Sequence, residues 1–126
     1  MKENIIDQLM EGSLTLITFE NPEGIKNELE QGGPAYSIRV STELGKYEVG
    51  KHFRTAWNKT VVVTRVQKFN NIADWEYAYK LPPDVIKKLS NHNQIEVIEL
   101  TYTSGDNSPV VDRSLARNQR YDALIV

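Results

Sequence analysis

Cysteine is absent from this 126-residue chain, and histidine occurs only twice, at His52 and His92. The first absence removes disulfides, thiolate metal sites and a thiol nucleophile. The second leaves too few ligands for a histidine-based metal centre and weakens any serine, histidine and acid triad, so neither a metal nor a cofactor is expected. No apolar run approaches the roughly 20 residues that cross a bilayer. Residues 1–11 carry Glu3, Asp7 and Glu11 among short apolar pairs and lack the apolar centre of a signal peptide. The expectation is a cytoplasmic protein with no membrane partner. What remains, 40% hydrophobic and 25% charged, lies near globular averages, and the length suits one domain with its own core.

The formal net charge of -2 conceals a sorting along the chain. Residues 1–38 hold seven acids against Lys2 and Lys26, net -5. Residues 39–68 hold Arg39, Lys46, Lys51, Arg54, Lys59, Arg65 and Lys68 against Glu43 and Glu48, net +5. Such a block makes a local positive potential that attracts phosphates even on an acidic protein. The competing reading is a set of solvated strand-edge cations that discourage aggregation.

Apolar spacing gives the element order. Ile5, Ile6, Leu9 and Met10 form a helical stripe ended by Gly12. Residues 13–19 are β-branched and apolar and read as a strand closed by Asn21-Pro22. Pro22 and Glu23 suit a helical first turn, with Ile25 and Leu29 on one face before Gly32-Gly33-Pro34. Residues 36–42 alternate, with Tyr36, Ile38 and Val40 opposite Ser37, Arg39 and Ser41. Residues 51–57 alternate again, Asn58-Lys59 is a two-residue turn, and residues 60–68 are the strongest strand, with valines on both faces. Residues 72–79 suggest a helix pairing Trp75 with Tyr79, residues 84–90 another, and residues 94–103 the last of about five strands. From residue 104 the composition shifts to Gly, Asp, Asn, Ser and Pro, then Arg113, Arg117 and Arg120. The end, residues 121–126, is apolar enough to dock on the domain or on another subunit. The division is therefore residues 1–103 as the domain, with its N-terminal helix, and residues 104–126 as a C-terminal extension.

Gly32, Pro34, Ser37 and Arg39, followed by Tyr47, Gly50 and Lys51, carry a resemblance. Over residues 13–103 the chain resembles the ASCH domains of the PUA-like superfamily. That resemblance implies an α+β fold built on a small mixed β-barrel of about five strands with short flanking helices. Glycine, hydroxyl and arginine match the family's motif; its lysine is replaced by Pro34, and its later acid by Lys51. The family is associated with RNA binding, and small members include amidohydrolases of acylated cytidine and ribonucleases. In the amidohydrolase type a lysine activates the nucleophile, with a threonine and a glutamate around it. Carried over, the hydroxyl is Ser37 and the acid Asp74, while Pro34 offers no base, so a lysine such as Lys26 or Lys51 has to supply it.

The leading expectation is thus an RNA- or nucleotide-binding ASCH-like domain without the family's lysine-dependent amidohydrolase activity. Its cleft is lined by Ser37 and Arg39 and flanked by Lys51, Arg54, Trp57 and Lys59. A guanidinium beside hydroxyls suits a phosphate, and a ring beside cations suits base stacking. Against this, Arg39 is also suited to a structural ion pair, and Phe53 to the core. Trp75, Tyr77 and Tyr79 with Lys80 read either as a lid over a barrel mouth or as packing on the sheet. Two alternatives stand beside it: a hydrolase of a modified nucleoside or RNA using Ser37, Asp74 and a displaced lysine such as Lys51, and an interaction module forming a homo-oligomer through its C-terminal tail.

Overall fold

The structure, a computed structural model, describes residues 14–103 and 120–125. The expected helix within residues 2–11 lies outside the described residues. Helix α1 spans Pro22–Glu30. The Asn21 side chain accepts from the Gly24 N–H at 3.2 Å, proline occupies the first turn where no N–H is needed, and Ile25 and Leu29 are buried. Beyond it Gly32 takes φ 86°, a left-handed conformation that releases the chain into strand β1, Ala35–Val40. Strand β2 is His52–Arg54, β3 is Thr60–Phe69, β4 is Ile95–Tyr102 and β5 is Tyr121–Leu124; helix α2, Pro83–Leu89, precedes β4. The turn between β2 and β3 closes through Thr55, whose N–H and hydroxyl both donate to the Lys59 carbonyl, at 2.8 and 2.9 Å, with Asn58 at φ 66° in the role glycine usually fills.

These strands form one sheet in the order β2-β3-β4-β1-β5. Pairing is antiparallel except between β1 and β5. Strand β4, at the centre, is buried on both faces, as is most of β1 beside it. Two cores result. Ala35, Val61, Val63, Ile98 and Leu100 meet Ile17, Phe19, Ile25 and Leu29 on one side. On the other, Ile38, Val40, Ile95 and Val97 meet Ile72, Trp75, Leu81 and Leu89. Burial of each such side chain is worth about 1.5–3 kcal/mol, which is why the sheet's middle fixes the fold.

Three expectations are corrected. First, the sheet is not closed into a barrel: among the described residues no ladder joins β2 to β5. Of the expected strand over residues 13–19, the described residues 14–19 form no strand of their own: only Leu16 makes a bridge, to Arg54, before the chain turns Ile17 and Phe19 into the core. The segment still touches both sheet edges. Ile17 N–H donates to the Arg54 carbonyl at 2.9 Å, and Asn21 N–H donates to Asp122 of β5 at 2.7 Å. Second, the fifth strand is Tyr121–Leu124, which pairs in parallel with β1. Third, residues 72–79 are not a continuous helix. Two short 3-10 turns, Ile72–Asp74 and Ala78–Lys80, flank an extended Trp75, which buries its ring while Tyr79 stays 75% exposed. Among the described residues no helix is long and apolar enough to cross a membrane.

Candidate functional site

Strand β1 places Ser37 and Arg39 on the same face as Ile98 and Glu96, their partners across β4. Both were expected to line an open cleft, and both are 0% exposed. Arg39 donates to Ser37 Oγ at 3.1 Å, to Glu43 Oε1 and Tyr47 OH at 2.8 Å each, and to the Thr18 carbonyl at 2.6 Å. Its guanidinium lies against the rings of Phe19 and Tyr47, 5.3 and 4.9 Å from their centres. The physical reason for the difference is desolvation: a charge carried on a strand buried on both faces persists only when its donors are matched by the protein. Glu43 is part of that match. Burial pushes its carboxyl up, but hydrogen bonds from Lys46, Tyr47 and Arg39, with the charge of Arg39, outweigh it and hold the group at about 2. Tyr47, buried and donating to Glu43 at 2.6 Å, is pushed above the usual phenol range. The order Arg39, Glu43, Tyr47 thus ties the end of β1 to the loop that follows.

The remaining ligand candidates gather around the β2–β3 hairpin. Lys51 lines a cavity of about 370 Å³ with Thr18, Glu43, Lys46 and Phe53, and its ammonium sits 5.4 Å from the Phe53 ring centre. Arg54 and Lys59 are exposed. Trp57 is half-buried at the turn, stacked obliquely on Phe19 at 6.2 Å, and its indole N–H donates to Tyr102 OH at 2.7 Å. Lys59 lies 5.6 Å from the Tyr102 ring centre. Trp57, Tyr102 and Lys59 therefore form one aromatic and cationic patch, from which Arg39 is separated by burial. Phe53 is core, 3% exposed.

Asp74 lines a different cavity, of about 570 Å³, together with Lys68, Gln94 and Glu96. Glu96 is 3% exposed; its Oε1 accepts from Gly45 N–H at 2.6 Å and its Oε2 has no hydrogen-bond partner among the described residues. Ser37, Asp74 and Lys51, the candidate catalytic group, are thus not brought together: Ser37 is interior, and Asp74 and Lys51 line separate cavities. Ser37 instead donates to Asp122 Oδ2 at 3.1 Å. Trp75, Tyr77 and Lys80 surround Tyr121: Trp75 meets its ring edge-on at 4.6 Å and Tyr77 stacks at 6.2 Å, so these side chains pack on β5 rather than cover a barrel mouth. Among the described residues no group of three or more His, Asp or Glu is placed to hold a metal ion.

Sequence reading missed Tyr102, Glu96 and Asp122. Glu96 had a signal: residues 95–102 are apolar on both faces apart from Glu96, Glu99 and Thr101, and a carboxylate on a strand buried on both sides needs partners or a ligand. Tyr102 and Asp122 had none, because each acts across more than 40 residues of chain. Comparison of the chain with family models, with curated proteins and with solved structures returns no match.

Proposed function

We propose that this chain is an ASCH-like RNA- or nucleotide-binding domain that engages its ligand through the β2–β3 hairpin and the loop before it. The observation that carries this reading is the patch of Trp57, Tyr102 and Lys59, with Lys51 and Arg54 exposed along the same hairpin. A ring held by a hydrogen bond at its nitrogen keeps a π-face ready for a base without losing rotamer freedom on binding, and the cations supply sequence-independent attraction to phosphate. Arg39 and Ser37 support the platform from inside and do not touch the ligand. Because the candidate catalytic group is dispersed, the reading is binding rather than hydrolysis.

The test is titration of a labelled single-stranded RNA of about eight nucleotides at several salt concentrations. Affinity should fall as salt rises, Trp57→Ala should weaken it about 5- to 100-fold, and Lys59→Ala should shallow the salt slope by about one phosphate contact. No binding at low salt, or binding that neither substitution changes, overturns the proposal.

A further inference from the structure

The cavity of about 370 Å³ beside the β2–β3 hairpin holds more positive charge than its own acid balances. Lys46, Lys51 and Glu43 lie on its wall, and Arg39 stands directly behind, donating to Glu43, Tyr47 and the Thr18 carbonyl. Three cations thus share one carboxylate, which leaves two positive charges. Glu43 is fully engaged: its Oε1 accepts from Arg39 and Tyr47, and its Oε2 accepts from Lys46 at 2.7 Å. The ammoniums are not. Lys46 gives one donor to Glu43, Lys51 gives one to the Lys46 carbonyl at 3.2 Å, and an ammonium has three. Those contacts place both groups without sealing them, since the Lys46 side chain is 55% exposed and Lys51 is exposed beside it. Thr15 and Thr18 add exposed hydroxyls to the same wall. The volume lies in the range of small-ligand pockets.

We infer that this cavity is a phosphomonoester subsite, in which Lys46 and Lys51 take the terminal phosphate of the ligand while its first bases run along the hairpin to Trp57. The inference rests on the nucleic-acid reading and names the end of the strand that the site recognises. Charge decides for a terminal group over an internal one: a phosphodiester carries one negative charge, whereas a phosphomonoester carries about 1.5 to 2 at neutral pH and offers three acceptor oxygens. Such a group matches the two uncompensated charges and the free donors of two point-like ammoniums. Position agrees with charge. Phe19, Tyr47 and Phe53 belong to one core cluster, against which Trp57 and Tyr102 pack, so the cavity and the aromatic patch lie on the same side of the sheet. Phe19 links them, with Trp57 at 6.2 Å from its ring and the Arg39 guanidinium at 5.3 Å.

The experiment uses the full chain and one RNA of about eight nucleotides, made with a 5′-phosphate, with a 3′-phosphate and with hydroxyls at both ends. In parallel, inorganic phosphate is titrated into ¹⁵N-labelled protein. One phosphorylated form should bind about 10-fold more tightly than the hydroxyl form, the worth of one hydrogen bond to a charged group. Lys51→Ala should remove most of that preference and Lys51→Arg, which keeps the charge, should retain it. Trp57→Ala should weaken all three forms and leave the preference in place. Inorganic phosphate at millimolar concentration should move the amides of Lys46, Lys51 and Thr18. A preference unchanged in Lys51→Ala, or phosphate shifts confined to residues away from the cavity, overturns the inference. Where Lys51→Ala does not fold, the ratio among the three RNAs and the phosphate shifts in the unaltered chain decide it. Binding of all three RNAs with equal affinity overturns this inference alone, and phosphate binding at the cavity without RNA binding overturns only the hairpin reading.

Discussion

A buried guanidinium is tolerated only while its donors are matched, and Arg39 holds Ser37, Glu43, Tyr47 and the Thr18 carbonyl within 3.1 Å. An ammonium has three donors on one point and cannot hold partners spread around a planar fork. Arg39→Lys should therefore destabilise the chain by about 2–4 kcal/mol in urea while the folded fraction keeps its affinity for RNA. Lost affinity with unchanged stability would return Arg39 to the ligand. Glu43 makes a second, pH-dependent claim. Its folded value, about 2, lies below the ordinary 4.5, so its stabilisation is full above about pH 4.5 and is lost as pH falls toward 2. Glu43→Gln should be less stable than the parent by about 2–3 kcal/mol at pH 7, and the gap should close near pH 2. A gap constant across that window would mean that the carboxylate is not held in its charged form by the hydrogen bonds from Lys46, Tyr47 and Arg39.

Elements that rest on local chemistry were legible in the chain: α1 from Asn21, Pro22 and the Ile25/Leu29 pair, β3 from its valines, and β4 as a strand, although the alternation expected of it gives way to burial on both faces. Elements that depend on distant partners were not. Residues 72–79 carry helical spacing, but Trp75 leaves the helical conformation and meets the Tyr121 ring edge-on at 4.6 Å, so the segment breaks there at a contact nearly fifty residues away in sequence. Strand β5 could be read as an apolar tail and no further, since its place beside β1 is set by a residue no local pattern marks. Asp122 accepts from Glu20 N–H at 3.1 Å, from Asn21 N–H at 2.7 Å and from Ser37 Oγ, joining β5, β1 and the approach to α1. Its charge also faces the positive end of that helix. Asp122→Ala should cost about 1–2 kcal/mol and raise hydrogen exchange selectively in β5 and the outer edge of β1. Exchange that rises evenly over the sheet would show that β5 is not a separable unit.

At the scale of the molecule, the sorted charge of the sequence becomes a boundary on the surface. The acidic stretch supplies α1, the basic stretch supplies the β2–β3 hairpin, and the two meet at Tyr102, whose hydroxyl receives the Trp57 indole N–H and donates to Glu30 at 3.3 Å. The basic block was legible from counting residues; that its most buried cation would be withdrawn into the core, and that an acid would border its aromatic patch, required the sheet order to be known. The boundary has a measurable effect. Glu30 is exposed and ends α1 beside Lys59's ring partner, so it repels a phosphate at the edge where the hairpin attracts one. Reversing that sign should add an attraction: Glu30→Lys should raise affinity for single-stranded RNA at low salt and steepen the dependence of log K on log salt by about 0.7, the release expected for one further phosphate on a single strand. Lys59→Glu should do the opposite by a similar amount. Because Glu30 is solvated and its removal leaves only a long hydrogen bond unmade, stability should change by less than about 0.5 kcal/mol, which separates the electrostatic effect from any loosening of the fold. If both substitutions leave the salt slope where it was, the ligand does not pass over the junction of α1 and the hairpin, and the patch of Trp57 and Tyr102 serves only to seal the core beneath it.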